Sequence, residues 1–262
     1  MLHISKHELT QLFNGSLHNS DRLMYPAEDT TESIEATVVS RVQRLRQELG
    51  AITLVDGAFD VPHVNHEWYL RHCKVIGMFA LLHTQGHTDI TMQNAAAYLQ
   101  AYPHVASASR LITTVDADSK IAAKKSGLSA KGGVERPIYP WIGRAERLAG
   151  YHFELNGQLH QTVDLVTVEG DPQHKGTPLE SSLTLAQFLA SENLLDNLVV
   201  YGEHSSTIAT ADELGLNPIV ISDTEQYAIN PQTNREWSSS DIIRRAQGET
   251  VANPVTRPST AL

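Results

Sequence analysis

Short apolar segments rich in β-branched residues alternate along this chain with longer segments of helical periodicity. Strands that alternate with helices usually pair in parallel and are covered by helices on both faces, so the alternation predicts an α/β fold. We expect a Rossmann-like three-layer sandwich with a central parallel sheet, whose ligands bind where the strands end. The expected strands cover residues 51–56, 109–115, 162–168, 197–201 and 218–222, and the expected helices cover residues 65–75, 91–102, 139–151, 183–194 and 239–247.

The 262 residues suffice for one main domain with embellishments. A helix is expected from Glu32 to Leu49, where apolar residues recur three and four positions apart; it could pack on its own chain or on a second copy in a homodimer. Segments 75–107 and 120–136 are expected to be inserted segments or loops, the first with an extra helix. We therefore expect an N-terminal helical extension, a Rossmann-like domain and a flexible C-terminal tail, over residues 1–50, 51–250 and 251–262.

The composition limits the partners of the chain. The formal net charge of -10 argues against a nucleic-acid-binding surface, which is typically basic, although a local cluster of cations can still bind a small anion. Cys73 is the only cysteine, which excludes an internal disulfide and an all-cysteine metal site. The sequence contains neither an apolar leader segment nor a long apolar run, so we expect a cytoplasmic protein that does not bind membranes.

The most informative local feature is the segment from Gly57 to His66, directly after the first expected strand. It combines a glycine turn, Phe59 and Asp60 with two histidines, His63 and His66, at the start of an expected helix. The spacing of the histidines carries little weight alone, because the chain has 13 histidines. Their position matters more, since free N–H groups at a helix start attract phosphate and both imidazoles would point to the same place. Simple packing of both rings in a loop is the alternative.

Two further segments offer groups that could bind phosphate. Trp237 to Arg245 places three consecutive serines at an expected helix start, where hydroxyls and N–H groups could bind a phosphate chain; an ordinary N-cap is the alternative. Arg136 to Leu148 contains two prolines followed by Arg144, whose guanidinium could bind a phosphate in a bidentate way.

In this order and context, the three segments resemble the signatures of the cytidylyltransferase-like nucleotidyltransferases. Gly57 to His66 resembles the family's G-x-F-D-x-x-H-x-G-H, and Ser238 to Arg244 is similar to its C-terminal S-[ST]-T-x-I-[IK]-[KR]. Thr114 to Ser119 and Arg136 to Leu148 resemble the V-N-S-D and R-P-x-x-P-x-x-x-R elements of the heptose-phosphate and glycerol-phosphate branch.

The resemblance, which spans residues 51–247, implies transfer of CMP or AMP from CTP or ATP to a small phosphorylated acceptor with release of pyrophosphate. A cytidylyltransferase is the activity that it favours. Mg²⁺ is implied as a cofactor that binds with the triphosphate rather than in a protein metal site. The implied catalytic residues are His63, His66, Lys74 and Arg144; the implied nucleotide-binding residues are Gly57, Ala58, Phe59, Asp60, Asp118, Gly202, Ser238, Ser239, Ser240 and Arg244.

The chain departs from the family at Asn65, which replaces the glycine between the histidines, and at Tyr201, where the heptose branch tends to have lysine. An adenylyltransferase of the mononucleotide or pantetheine-phosphate type and a non-catalytic nucleotide-binding module remain alternatives. A metal hydrolase that uses His83 and His87, four residues apart with Asp89 nearby, is a third hypothesis, although Gly86 argues against the helix that it would need. Neither the acceptor nor the choice between CTP and ATP can be read from the sequence.

Overall fold

The computed structural model describes residues 22–25, 30–46, 50–91, 94–129, 135–202, 205–222, 229–230, 235–236 and 242. Ten strands lie in these residues: β1 (Leu23–Met24), β2 (Ala51–Gly57), β3 (Ser109–Asp116), β4 (His152–Leu155), β5 (Gln158–Gln161), β6 (Leu165–Glu169), β7 (Asn197–Tyr201), β8 (Ile219–Ile221), β9 (Ile229–Asn230) and β10 (Arg235–Glu236). The α-helices described are α1 (Thr31–Arg46), α2 (Val64–Thr84), α3 (Ala95–Ala101), α4 (Val105–Ala108), α5 (Asp118–Ser129), α6 (Trp141–Ala149), α7 (Ser182–Ser191) and α8 (Ser206–Glu213).

Six of the strands form one parallel sheet in the order β1-β6-β3-β2-β7-β8. The central strands β2 and β3 are almost wholly buried and rich in apolar and β-branched residues, which is the composition expected of a sheet covered on both faces. β4 and β5 form a separate antiparallel hairpin, and β9 pairs with β10.

Helices cover both faces of the sheet. Alternate strand residues such as Val55 and Val199 pack on one face against α2 and α6. Leu54 and Leu198 pack on the other face against α1, α7 and α8. This arrangement confirms the expected α/β Rossmann-like three-layer sandwich. α1 packs on the sheet of its own chain, because Ile34, Val38 and Val42 lie in that second core.

Several boundaries differ from the expected ones. α2 continues to Thr84, so the inserted segment begins later than expected and contributes α3 and α4. Most of the expected loop at 120–136 is wrong, because residues 118–129 form α5. This helix has little apolar periodicity; Ile121 is buried, while Lys120 and Lys124 are held by carboxylates of the sheet. The expected helix at 239–247 lies outside the described residues apart from position 242.

The strand order defines where a ligand crevice forms. From β2 the chain moves to β3 and β6 on one side of β2, by way of helices on one face. It then returns to β7 on the other side of β2, by way of α7 on the opposite face. In open α/β sheets this reversal leaves a crevice at the carboxyl ends of the two strands, here β2 and β7.

Within the residues that the structure describes, no helix is both long and apolar enough to cross a membrane.

Candidate functional site

A tight turn follows β2 at the carboxyl edge of the sheet. Phe59 has a left-handed backbone conformation, with φ of 48°, and its side chain is buried. The ring folds back under Gly57, where a Cβ atom would lie 2.8 Å from the ring carbons. Position 57 therefore requires glycine because of this close approach, and the turn directs the chain into α2.

His63 and His66 meet at the start of α2. His63 is the N-cap residue and His66 lies in the first turn, so the three-residue spacing stacks their rings with centroids 3.8 Å apart. The Nδ1 atom of His66 accepts a hydrogen bond of 3.3 Å from the backbone N–H of His63. The backbone N–H of His66 also approaches the ring of His63, but the Nδ1 atom of His63 accepts no hydrogen bond. The edge of Phe59 packs on His66 with centroids 5.2 Å apart. The predicted pair is thus brought together by the turn.

Burial keeps both imidazoles neutral. It lowers the pKa of His63 to about 4. Burial, followed by the neighbouring charge of His63, lowers the pKa of His66 to about 3. Because Nδ1 of His66 accepts a hydrogen bond, the proton of its neutral ring lies on Nε2. That Nε2–H group can donate to an anion without carrying a positive charge itself.

We expect an NMR titration of histidine-labelled protein to show two rings that stay neutral down to about pH 5, whereas an unperturbed histidine titrates near pH 6.5. The spectra of His63→Gln and His66→Gln would assign the two signals. The folded pKa values lie below the unfolded value, so the unfolded chain binds more protons and the fold loses stability as the pH falls from about 6.5 towards 3. A midpoint above pH 6 for both rings would contradict this geometry.

Asp60 lies inside the protein rather than at an open nucleotide site. Its carboxylate is buried and accepts hydrogen bonds from Nε of Arg136 and from the backbone N–H of Ile138, the latter at 3.0 Å. Arg136 also donates to the backbone carbonyl of Asp60. Asp60 therefore joins the turn after β2 to the segment before α6.

Arg144, which the sequence suggests as a phosphate ligand, has internal hydrogen-bond partners in the structure. Its side chain is fully buried in α6. Its guanidinium forms four hydrogen bonds: to the carbonyls of Ala58 at 2.5 Å, Asp116 at 2.7 Å and Tyr139 at 3.0 Å, and to Oδ1 of Asp118 at 2.7 Å. A guanidinium has five N–H donors, so only one remains for any other partner. Arg144 positions the turn after β2 against the end of β3.

Lys74 lies at the opposite edge of the sheet from the histidines. Eight residues of helix carry the chain about 12 Å away from His66. There the buried ammonium of Lys74 pairs with Asp164 at 2.6 Å and donates to the carbonyl of Ser109, the first residue of β3. Lys74 therefore forms an internal ion pair at the amino edge of the sheet and lies apart from the histidine pair.

Some of the remaining predicted residues lie near the histidine pair, and the others lie outside the described part of the chain. Gly57 and Ala58 border the histidine pair, Asp118 presents a side chain that is 39% exposed beside Arg144, and Gly202 follows β7 with φ of 86°. Asn65 is buried, so its side chain is covered by the protein itself. Ser238, Ser239, Ser240 and Arg244 lie outside the described residues.

Sequence reasoning missed a charged cluster at the carboxyl edge of the sheet. Three carboxylates at the ends of neighbouring strands lie beside two lysines of α5: Asp56, Asp116 and Glu169 with Lys120 and Lys124. Asp116 pairs with Lys120 at 2.6 Å and with Lys124 at 3.0 Å. Lys120 also pairs with Glu169, whose other oxygen accepts a hydrogen bond of 2.9 Å from Thr114. The four-residue spacings from Asp116 through Lys120 to Lys124 were the available signal.

Burial raises the pKa of Asp56 and of Glu169, although the lysines oppose it. For Asp116 burial acts the same way, but the lysine hydrogen bonds and charges prevail and hold its pKa below the usual range. The cluster is thus an ion-paired network directly beside the turn at Gly57.

His87 and Asp89 of the suggested metal hydrolase site have other contacts. The ring of His87 packs on Tyr102 with centroids 4.4 Å apart, and the Asp89 carboxylate accepts a hydrogen bond from Tyr98. Across the described part of the chain, no three or more His, Cys, Asp or Glu side chains are grouped so as to hold a metal ion.

Comparisons with known proteins give no match, either to a protein-family model or to a curated sequence. Function must therefore be inferred from the geometry of the site. The carboxyl edge of β2 joins a helix N-terminus, two neutral imidazoles and an ion-paired lysine cluster. Free N–H groups at a helix start and neutral ring N–H donors are groups of the kind that bind phosphate chains.

Proposed function

We propose that the chain is a nucleotidyltransferase that transfers a CMP or AMP group from a nucleoside triphosphate to a phosphomonoester, with release of pyrophosphate. A cytidylyltransferase is the favoured form. One observation carries the proposal: His63 and His66 stack at the N-terminus of α2, beside the crevice between β2 and β7. This placement agrees with the role that the resemblance implies for both histidines.

In the proposed reaction a phosphate oxygen of the acceptor attacks the α-phosphorus of the triphosphate, and the bond to the β-phosphate breaks. The acceptor is already an anion, so neither a covalent intermediate nor a strong base is needed. The chain contributes alignment of the reacting groups and donors for the charge that builds on the α-phosphoryl oxygens. Nε2–H of His66 and the first N–H groups of α2 supply such donors without a change of protonation state.

The internal contacts of Arg144 and Asp60 fix the turn that carries the proposed catalytic groups. Arg144 joins the turn at Ala58 to Asp116 and Asp118, and Asp60 joins the same turn to the segment before α6. Catalytic donors are effective when their geometry is fixed before the substrate binds. We therefore assign Arg144 and Asp60 to positioning of the site.

The residues at this edge fit a Mg²⁺ ion that arrives with the triphosphate. Asp116 and Glu169 are already paired with lysines, so a cation held mainly by phosphate oxygens and water suits the site better than one held by protein carboxylates alone. When bound, Mg²⁺ would neutralise negative charge on the triphosphate.

Lys124 is the cation that we assign to the acceptor phosphate, because Lys74 is engaged in an internal ion pair at the other edge of the sheet. Its side chain is 55% exposed, and its only ion pair among the described residues is with Asp116 at 3.0 Å. Its charge also reaches Asp56, the residue before Gly57. Ion pairs with an exposed partner contribute about 1 kcal/mol or less, so a phosphate can replace this one, while Lys120 continues to neutralise Asp116.

Replacement of Lys124 by glutamine is expected to raise the KM for the acceptor about tenfold, which corresponds to one lost hydrogen bond to a charged group. The KM for the nucleoside triphosphate should change less. Lys125→Gln is the matched control, because it removes the same charge one position further along α5, about 100° around the helix. Equal effects of the two substitutions would show that Lys124 acts only through the overall charge.

A pyrophosphate-release assay tests the proposed function directly. The purified chain is incubated with Mg²⁺ and each of CTP, ATP, GTP and UTP. The acceptors are sugar phosphates, polyol phosphates, phosphoamines, mononucleotides and pantetheine phosphate, and nucleotide binding is measured in parallel. We expect release that requires both substrates. Release only with ATP and a mononucleotide or pantetheine phosphate would identify the adenylyltransferase alternative. Nucleotide binding without release in any combination would reject transfer and favour a non-catalytic binding module.

A further inference from the structure

Tyr201 is an aromatic residue at the open end of the sheet. It is the last residue of β7, and its neighbour Gly202 turns the chain away through a hydrogen bond of 2.9 Å to the carbonyl of Ile221. Tyr201 is 40% exposed, whereas the three residues before it in β7 are buried. The exposed ring of Tyr201 stands at the carboxyl edge of the sheet, which is where ligands of this fold bind.

The position of Tyr201 connects it to the histidine pair. β7 pairs directly with β2, the strand that leads into the turn at Gly57. The ring of Tyr201 meets that of Tyr69 at 5.5 Å with an interplanar angle of 76°. Tyr69 follows His66 by three residues on α2, so both lie on the same side of the helix. Tyr201 therefore lies in the β2–β7 crevice, one helical turn from the proposed site of phosphoryl transfer.

We propose that Tyr201 provides a stacking surface for the nucleobase of the triphosphate. This inference rests on the proposed function, since it places the base of the same nucleotide. A lysine at this position would suit a phosphate group, but a tyrosine carries no charge at neutral pH and offers a planar apolar face. Tyr69 contacts the ring edge to face and supports it, and the exposed 40% of Tyr201 lies at the edge of the sheet where a planar ligand would bind.

Stacking has a consequence for specificity. Every nucleobase has a π-face, so a stacked contact tolerates cytosine and adenine alike. We expect Tyr201 to contribute affinity for both CTP and ATP rather than to select between them. Selection would then depend on hydrogen bonds to the base edge from other groups of the crevice.

The test compares nucleotides with a ligand that has phosphates but no base. Binding of CTP, ATP and inorganic tripolyphosphate is measured by calorimetry for the wild type, Tyr201→Ala and Tyr201→Phe. Trp68→Ala is the matched control, because Trp68 is an aromatic residue of α2 that is similarly exposed, at 46%. Thermal unfolding of each variant verifies that it is folded.

We expect Tyr201→Ala to weaken CTP and ATP about tenfold or more, in line with the loss of one base-stacking contact. Tripolyphosphate should bind Tyr201→Ala within twofold of the wild type, and Tyr201→Phe should retain nucleotide affinity. Equal weakening of tripolyphosphate, unchanged nucleotide affinity in Tyr201→Ala, or a wild type that binds tripolyphosphate as tightly as the nucleotides would each overturn the proposal.

The two proposals fail in different ways. Base-dependent binding that requires Tyr201, without pyrophosphate release, keeps the stacking role and rejects nucleotidyl transfer. Pyrophosphate release with an unchanged nucleotide KM in Tyr201→Ala keeps the transfer and rejects the stacking role.

Discussion

Replacement of His63 or His66 by alanine is expected to lower the turnover number about 100- to 1,000-fold, the cost of removing one preorganised donor to a developing oxyanion. Both rings are neutral and lie at the N-terminus of α2. Each substitution therefore removes one hydrogen-bond donor without removing a charge. Initial rates of pyrophosphate release at saturating substrates measure the effect. The KM values should change less than the turnover number, because the contact is strongest in the transition state.

The fold should survive both substitutions, since His63 and His66 are only partly buried and the turn is held separately by Asp60 and Arg144. His83→Ala is the matched control, because His83 lies exposed in the last turn of the same helix, at the far end from the site. Turnover near the wild-type value in both His63→Ala and His66→Ala would remove the pair from the mechanism.

The sheet could be predicted from the sequence because each central strand is a short run of apolar and β-branched residues. The segments at 51–56 and 109–115 are apolar and β-branched, and they correspond to β2 and β3 within two residues. α5 could not be predicted in this way, because only Ile121 of its described side chains is buried. Its position depends on the ion pairs of Lys120 and Lys124 with Asp116 at the end of the adjacent strand. The spacing of apolar residues along a helix gives no information about such contacts.

The site was predicted in part, for a related reason. The position of His63 and His66 follows from a local sequence of strand, turn and helix start, and the two rings stack in the structure. The roles of Lys74 and Arg144 depend on partners far away in the chain. Asp164 is 90 residues from Lys74, and Ala58 is 86 residues from Arg144. A buried cation and a phosphate-binding cation look identical in a sequence until these partners are known.

Replacement of Arg144 by alanine is expected to lower the free energy of unfolding by about 3–5 kcal/mol, because each buried carbonyl that loses its donor costs about 1–3 kcal/mol. The guanidinium is fully buried, and its removal would leave the carbonyls of Ala58 and Asp116 without this donor. Chemical denaturation followed by circular dichroism measures the change. A loss of this size is a large part of the stability of an ordinary domain, so Arg144→Lys, which keeps the charge, provides a milder variant.

Arg147→Ala is the matched control for Arg144→Ala, because Arg147 lies on the same helix but is exposed; its replacement should cost about 0.5 kcal/mol or less. The two possible roles of Arg144 give opposite patterns. A phosphate ligand would lose activity while the free energy of unfolding stayed the same. A positioning residue loses stability in Arg144→Ala and in part in Arg144→Lys, because an ammonium cannot reproduce hydrogen bonds that spread from Tyr139 to Ala58 and Asp116. Unchanged stability in both variants would contradict the positioning role and favour Arg144 as a phosphate ligand. The hydrogen bonds of Arg144 to Ala58 and Asp116 would then contribute little to holding the turn at Gly57.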